Sequence, residues 1–145
     1  MNFFDALRLS SSGLAAQRLR MNVVTSNLAN INTTRTRQGG PYRRKDVVFA
    51  GQALTQSFRD TLRSRMKGQL SEVKVAKIIE DPRPSHTKYD PHHPDADEKG
   101  YIKTPNINLM EEMVNMLSAT RSYEANVTAI KATKDMALKA LEIGQ

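Results

Sequence analysis

Within the stretch from His86 to Glu98 lie three histidines (His86, His92, His93) and four carboxylates (Asp90, Asp95, Asp97, Glu98). Histidine with carboxylate is the chemistry of a zinc site or of a harder transition ion. The spacing matches no closed ligand set, however, and Pro82, Pro84, Pro91 and Pro94 hold the segment open rather than folding it round an ion. The expectation is no metal: these side chains are solvated, or they pair with the basic stretch of a neighbour. Nucleophilic catalysis fares no better. Ser10, Ser11, Ser12, Ser26, Ser57, Ser64 and Ser71 have no evident base and orienter, and no G-x-S-x-G turn is present. Gly39-Gly40 lacks the Gly-Lys-Ser/Thr of a phosphate loop. The chain is read as no enzyme, with no cofactor and no small-molecule substrate.

A third chemistry is electrostatic. Residues 35–88 hold 13 Lys/Arg against 5 Asp/Glu, a local net of +8 within a chain of +7, and residues 89–100 reverse the sign. Arg35, Arg37, Arg43, Arg44, Lys45, Arg59, Arg63, Arg65 and Lys67 could contact phosphates, which makes a basic nucleic-acid-binding module the alternative reading. Strand binders also stack bases on aromatics, and Tyr42, Phe49, Phe58 and Tyr89 are too sparse and scattered for that. A solvated or interfacial charge surface is preferred, and no nucleic acid is expected. Met110, Met113 and Met116 read as adaptable filler on a helix.

The composition points to association. At 145 residues there is sequence for one core, yet only 39% is hydrophobic, Trp is absent and aromatics are 6%. Partner copies are the expected source of the missing stability. Cysteine is absent, which excludes disulfides and thiolate sites and leaves the compartment open. Met1-Asn2-Phe3-Phe4-Asp5 has no basic n-region before an apolar run, so any export is expected to use a route that removes no leader. No apolar run is long enough to span a membrane.

The elements that must position these groups are two long amphipathic ends and a basic middle. Residues 3–29 read as a helix of roughly 40 Å with Leu7, Leu14, Met21 and Leu28 at a seven-residue interval. Small residues from Ser10 to Ala16 permit close approach of another helix. The helix ends in Asn27-Leu28-Ala29-Asn30, where side-chain amides favour a turn. Residues 108–143 read as a second helix, capped by Asn108 with Glu111 and Glu112 at its positive end. Its stripe carries Met110, Met113, Val114, Leu117, Val127, Ile130, Leu138 and Leu141. Between them, 42–49 and 72–80 read as strands, with Val73, Val75 and Ile79 on one side of the latter. Residues 81–95 read as an extended irregular connector, and 101–103 as a short strand after the Gly100 turn. Residues 51–67 fit a helix or a mobile excursion equally well. The fold class is mainly α with a small β part. The terminal segments 1–34 and 105–145 form a coiled-coil inner domain, and 35–104 form a basic strand-and-loop outer segment.

Several stretches together resemble a known family. Ser11-Ser12-Gly13-Leu14-Ala15-Ala16-Gln17-Arg18, leading into Met21-Asn22-Val23-Val24-Thr25-Ser26-Asn27-Leu28-Ala29-Asn30, resembles the N-terminal signature of bacterial flagellar rod and hook proteins. Gly40-Pro41-Tyr42-Arg43-Arg44-Lys45 with Val47-Val48-Phe49 is similar to a proximal-rod member of that family. So are His93-Pro94-Asp95-Ala96-Asp97-Glu98-Lys99-Gly100-Tyr101 into Pro105-Asn106, and Glu112-Met113-Val114-Asn115 with Ala119-Thr120-Arg121-Ser122-Tyr123-Glu124-Ala125-Asn126. The resemblance covers nearly the whole chain and leaves 51–67 unsupported. It implies a structural subunit of the basal-body rod, whose terminal helices pack as an inner coiled-coil tube around which the middle forms an outer β-rich part. It implies a drive shaft crossing the periplasmic space and carrying torque from rotor to hook. The implied partners are other copies, sibling rod proteins, rotor-ring and export-gate proteins at the rod base, and the flagellar type III export apparatus. On that reading Leu7, Leu14, Met21, Leu28, Met110, Met113, Leu117, Val127, Ile130 and Leu138 form the assembly interface.

Overall fold

The computed structural model describes residues 3–53 and 71–143, and the expectation for 51–67 lies almost wholly outside them. Helix α1 (Phe3–Ala29) and helix α2 (Leu109–Ile143) are 27 and 35 residues long, so the helical reading holds at both ends of the chain. Asn108 Oδ1 accepts from the N–H of Met110 at 3.0 Å and of Glu111 at 3.4 Å, which satisfies two donors that the first turn of α2 leaves unpaired. At the other end of α1, the amide of Asn30 donates back to the Ser26 carbonyl at 2.8 Å, and Asn30 accepts from the Thr33 hydroxyl at 3.2 Å. Local side-chain bonds thus join the last backbone bonds of the helix there, where the ladder tightens into a turn, as the Asn-rich run predicts.

The helices pair antiparallel within one chain. Arg20 reaches Asn115 at 3.2 Å, the Thr120 hydroxyl donates to the Met21 sulfur at 3.6 Å, and a methyl on Gly13 would meet the Asn126 amide at 3.0 Å. The seam is made of small and polar residues: Ala16, Val23, Val24 and Asn27 on α1 are buried, with Glu112 and Ala119 on α2. Small side chains let the backbones approach closely, and the cost is little apolar area removed from water. Ile102 and Pro105 are buried as well, outside the helices. Among the described residues α1 meets both α2 and the two long strands, whereas α2 packs on α1.

Strands β1 (Lys45–Ala53) and β2 (Ser71–Glu80) form an antiparallel hairpin. The sequence places the first strand three residues too early, because 42–44 are used in loop contacts beside α1. The pairing runs Lys45↔Glu80 to Val48↔Lys77, then Phe49↔Val75, so Ala76 is an extra residue. Such a bulge changes the parity of the strand. Ile79 therefore does not continue the alternation of Val73 and Val75, and Val73, Ile78 and Ile79 are all exposed. A second ribbon pairs β3 (His86–Tyr89) with β4 (Tyr101–Thr104). Strand β4 is as expected; β3 lies inside the proline-rich segment read as irregular. Between Pro84 and Pro91 the chain has no proline, which leaves four backbone donors free to pair. The ribbon is closed by Tyr89 against Tyr101, edge to face at 5.2 Å, and by Gly100 at φ +79°, where an added methyl would meet the Tyr89 ring at 2.9 Å.

Candidate functional site

The best-built part of the molecule is a polar cluster where α1, β1 and α2 meet. The loop after α1 positions it. Thr36 N–H bonds the Gly40 carbonyl at 2.9 Å, with Gly39 and Gly40 both at positive φ, and Tyr42 N–H returns to the Thr33 carbonyl at 3.1 Å. That turn carries Tyr42, Arg44 and Lys45 back under the end of α1. Asn27, with no exposed surface, meets them. Its Nδ2 donates to the Lys45 carbonyl at 2.8 Å and to Glu112 Oε2 at 3.0 Å. Its Oδ1 accepts from the Lys45 N–H at 2.9 Å and from the Tyr42 hydroxyl at 3.1 Å. All four valences of the amide are filled, and the pattern admits one orientation of the amide. With its proton given to Asn27, the Tyr42 hydroxyl accepts from Ser26 at 3.3 Å.

Glu112 is the second fully buried polar side chain. Its Oε1 accepts from Arg44 Nε at 2.8 Å, so each carboxylate oxygen has a strong donor. Arg44 also reaches Asp46 at 3.3 Å. Burial alone would lower the Arg44 pKa; the hydrogen bond to Glu112 and the charges of Glu112 and Asp46 outweigh it and raise the pKa above its ordinary value. Glu112 stands in the first turn of α2, where the helix end favours a carboxylate. One residue cluster ties both helices to the first strand. It contains no nucleophile or base that faces open space, and its groups are occupied with each other.

Nearby, Asp81 N–H bonds the Arg44 carbonyl at 2.8 Å. The Asp81 carboxylate takes the Arg83 guanidinium at 2.6 Å and the Arg83 N–H at 2.9 Å. These bonds hold the Asp81 pKa down at about 2. In the acidic segment, Asp95 accepts from the Thr34 hydroxyl at 2.7 Å and lies 3.9 Å from Arg35. Asp97 caps its own turn through the N–H groups of Lys99 and Tyr101, both at 2.9 Å. Asp95 and Asp97 thus have partners within their own chain, where the sequence offered a neighbour's basic stretch as an alternative. His93 Nδ1 accepts from the Asp95 N–H at 3.1 Å. Among the described residues no three His, Asp or Glu side chains gather as a metal ligand set.

The residues expected at an assembly interface divide into two groups. Leu7, Leu14, Met21, Leu28, Val127 and Ile130 are half-buried. Met110, Met113, Leu117 and Leu138 are exposed, as are Leu109, Val114, Met136, Leu141 and Ile143. Met110 keeps 68% of its surface and Leu117 53%. The fully buried positions on α2 are Glu112 and Ala119, while Val127 and Ile130 lie at the margin and Met110, Met113, Leu117 and Leu138 are left outside. Sequence reasoning passed over the cluster itself. Asn27 read as a helix terminator, Arg44 as one of many cations and Glu112 as a helix-end acid. The available signal was an amide and a carboxylate inside two family-like motifs.

Two family descriptions match the chain: "Flagella basal body rod protein" over residues 7–35, and "Flagellar basal body rod FlgEFG protein C-terminal" over residues 98–143. The matches fall on the two helical ends. Over its full length the chain is 50% identical to the flagellar basal-body rod protein FlgC of Bacillus subtilis, covering 100% of that protein. The chain belongs to the FlgC family. FlgC of Borreliella burgdorferi is 44% identical, with 99% of its length covered, and FlgC of Salmonella typhimurium 42%, with 98% covered. Both the buried cluster and the exposed face of α2 are thus features of a FlgC-family chain, and the nucleic-acid reading has no place in that family assignment.

Proposed function

We infer that this chain is a structural subunit of the bacterial flagellar basal-body rod, with no catalytic role. Full-length identity of 42–50% to FlgC proteins carries the assignment. The geometry agrees with a structural part. A polar cluster fixes the two helices and the first strand to each other, and no reactive group stands free in it.

The finer reading is that the subunit polymerises by its terminal helices. Segments 1–34 and 105–145 form the inner coiled-coil wall, and 35–104 stand outside it. The exposed Met110, Met113, Leu117 and Leu138 support this, since a soluble chain gains nothing from a long apolar face kept in water. Leu7, Leu14, Met21, Leu28, Val127 and Ile130, half-buried at the margins, complete the interface. The partners are other copies and sibling rod proteins, with rotor-ring and export-gate proteins at the base, and the polymer carries torque across the periplasmic space. Delivery by the flagellar export apparatus fits the small buried core, which a secretion channel can accept unfolded. No described helix is long and apolar enough to cross a membrane.

The test is deletion of the chain from its host. Swimming stops and purified basal bodies lack the rod, with both restored by the gene in trans. A rod of normal length in the deletion strain refutes the assignment.

A further inference from the structure

We propose that the basic cavity between the loop after α1 and the β3–β4 ribbon takes the acidic turn of a second copy of this chain, with Glu98 as the entering carboxylate. The inference rests on the rod reading, which supplies the neighbouring copy. Four cations (Arg43, Arg44, Arg83 and Lys103) and one carboxylate (Asp81) line this cavity of about 250 Å³. Two of the cations are already answered, Arg44 by Glu112 and Asp46, and Arg83 by Asp81. Arg43 and Lys103 have no side-chain partner among the described residues, and neither do the half-buried Ser85 hydroxyl and Asn106 amide on the same wall. In the run Arg43-Arg44-Lys45 the three cations thus have different tasks. Arg44 enters the buried cluster, Lys45 lies over the Tyr42 ring at 5.8 Å, and Arg43 is left to the cavity.

Cations gathered on one concave wall raise its potential and draw in an anion. A carboxylate suits them, because guanidinium groups bind it through paired donors and the ammonium adds a compact charge. The other half of the same surface names the occupant. A second cavity of about 420 Å³ shares Gly40, Pro41 and Lys103 with the first, and Asp95 and Asp97 are in its lining. Asp95 is taken by Thr34, and Asp97 caps its own turn. Glu98 is left exposed, without a partner among the described residues, and it does not line the basic cavity of its own chain. A basic and an acidic patch stand side by side, and a displaced copy can lay its acidic turn over the basic cavity. Such contacts between unlike patches of identical chains are heterologous, and they extend into rings or helical filaments.

The chain has no native cysteine, so one cysteine per copy makes every crosslink intermolecular. Ser85→Cys marks the cavity wall and Lys99→Cys the residue after Glu98, and both leave the cavity cations and Glu98 in place. The two single variants are produced together in the deletion strain, and purified basal bodies are treated with a short bismaleimide. A dimer of the chain is expected at about ten times the yield of either variant alone, because the two thiols share one interface at high effective concentration. Basal bodies that contain both variants without that excess, or in which Ser85→Cys joins a different protein, overturn the pairing. Absence of the wild-type chain from basal bodies that contain a rod defeats the rod assignment instead, and the neighbour with it. Arg43→Gln with Lys103→Gln supplies a cysteine-free check. Incorporation is expected to fall about tenfold, whereas Lys74→Gln with Lys77→Gln, which removes the same charge from the hairpin, leaves it unchanged. Equal incorporation of the two double variants also overturns the pairing.

Discussion

The side-chain amide of Asn27 bonds both backbone groups of Lys45, giving to its carbonyl at 2.8 Å and taking from its N–H at 2.9 Å. A helix side chain here does what a neighbouring strand would do, and the first strand starts at that point. Replacing Asn27 with Ala leaves Lys45, Tyr42 and Glu112 each short of a partner, around a position with no exposed surface. The expected loss is about 3 kcal/mol of unfolding free energy, at the upper end for stranded buried polar groups. Urea unfolding of the purified subunit measures it. A change below about 0.5 kcal/mol, the scatter of ordinary surface substitutions, removes Asn27 from the framework.

Arg44 and Glu112 form the buried charge pair of this site, and their removal is strongly non-additive. Arg44→Met alone leaves a buried carboxylate with one neutral donor, costing about 3–5 kcal/mol. Glu112→Leu alone leaves the guanidinium with only the exposed Asp46 at 3.3 Å and takes an acceptor from Asn27, at a smaller cost. The double variant recovers most of the loss, because packed apolar groups of like volume replace a matched pair at little net cost. A double-mutant cycle on urea unfolding reads the coupling. Additive single effects contradict the pairing.

Asp81 provides the pH handle. Its pKa is about 2 in the folded chain because Arg83 binds both carboxylate oxygens, against about 3.9 for a free side chain. A depressed acid stabilises the fold above the unfolded value, and that contribution fades as pH falls from about 4 toward 2. Arg83→Ala removes the guanidinium but keeps the N–H bond of residue 83, so the Asp81 pKa rises part of the way to the free value and the acid limb of the stability curve flattens in part. Carboxyl NMR titration follows the shift. An Asp81 pKa that stays near 2 in the variant assigns the shift to some other group.

How much of this was legible follows from side-chain size. The helix boundaries were readable from Asn108, Asn30 and the apolar periods, because caps and periodicity are local signals. The seam between the helices was not. A heptad search follows large apolar side chains, so it selected Leu7, Leu14, Met21 and Leu28, which are half-buried. The buried positions are Ala16, Val23, Val24 and Asn27 against Glu112 and Ala119, chosen by close approach rather than by hydrophobicity. Strand β3 was hidden because its prolines stand outside the four paired residues. The cluster of Asn27, Arg44 and Glu112 joins positions 85 apart in sequence, and nothing local in an amide or a cation announces so distant a partner.

The measurement that bears most directly on the account concerns the exposed face of α2. Met113 and Leu117 keep 52% and 53% of their surface in the single chain, so water already surrounds them. Met113→Glu with Leu117→Glu is expected to leave the unfolding free energy of the isolated subunit within about 0.5 kcal/mol per site. The same variant, produced at normal level in the deletion strain, is expected to be missing from purified basal bodies and to give no swimming, because assembly would bury two unpaired carboxylates. Separation of the two readouts, stable alone and absent from the rod, is the predicted result. A double variant that enters the basal body at the wild-type amount and restores swimming contradicts assembly through this face.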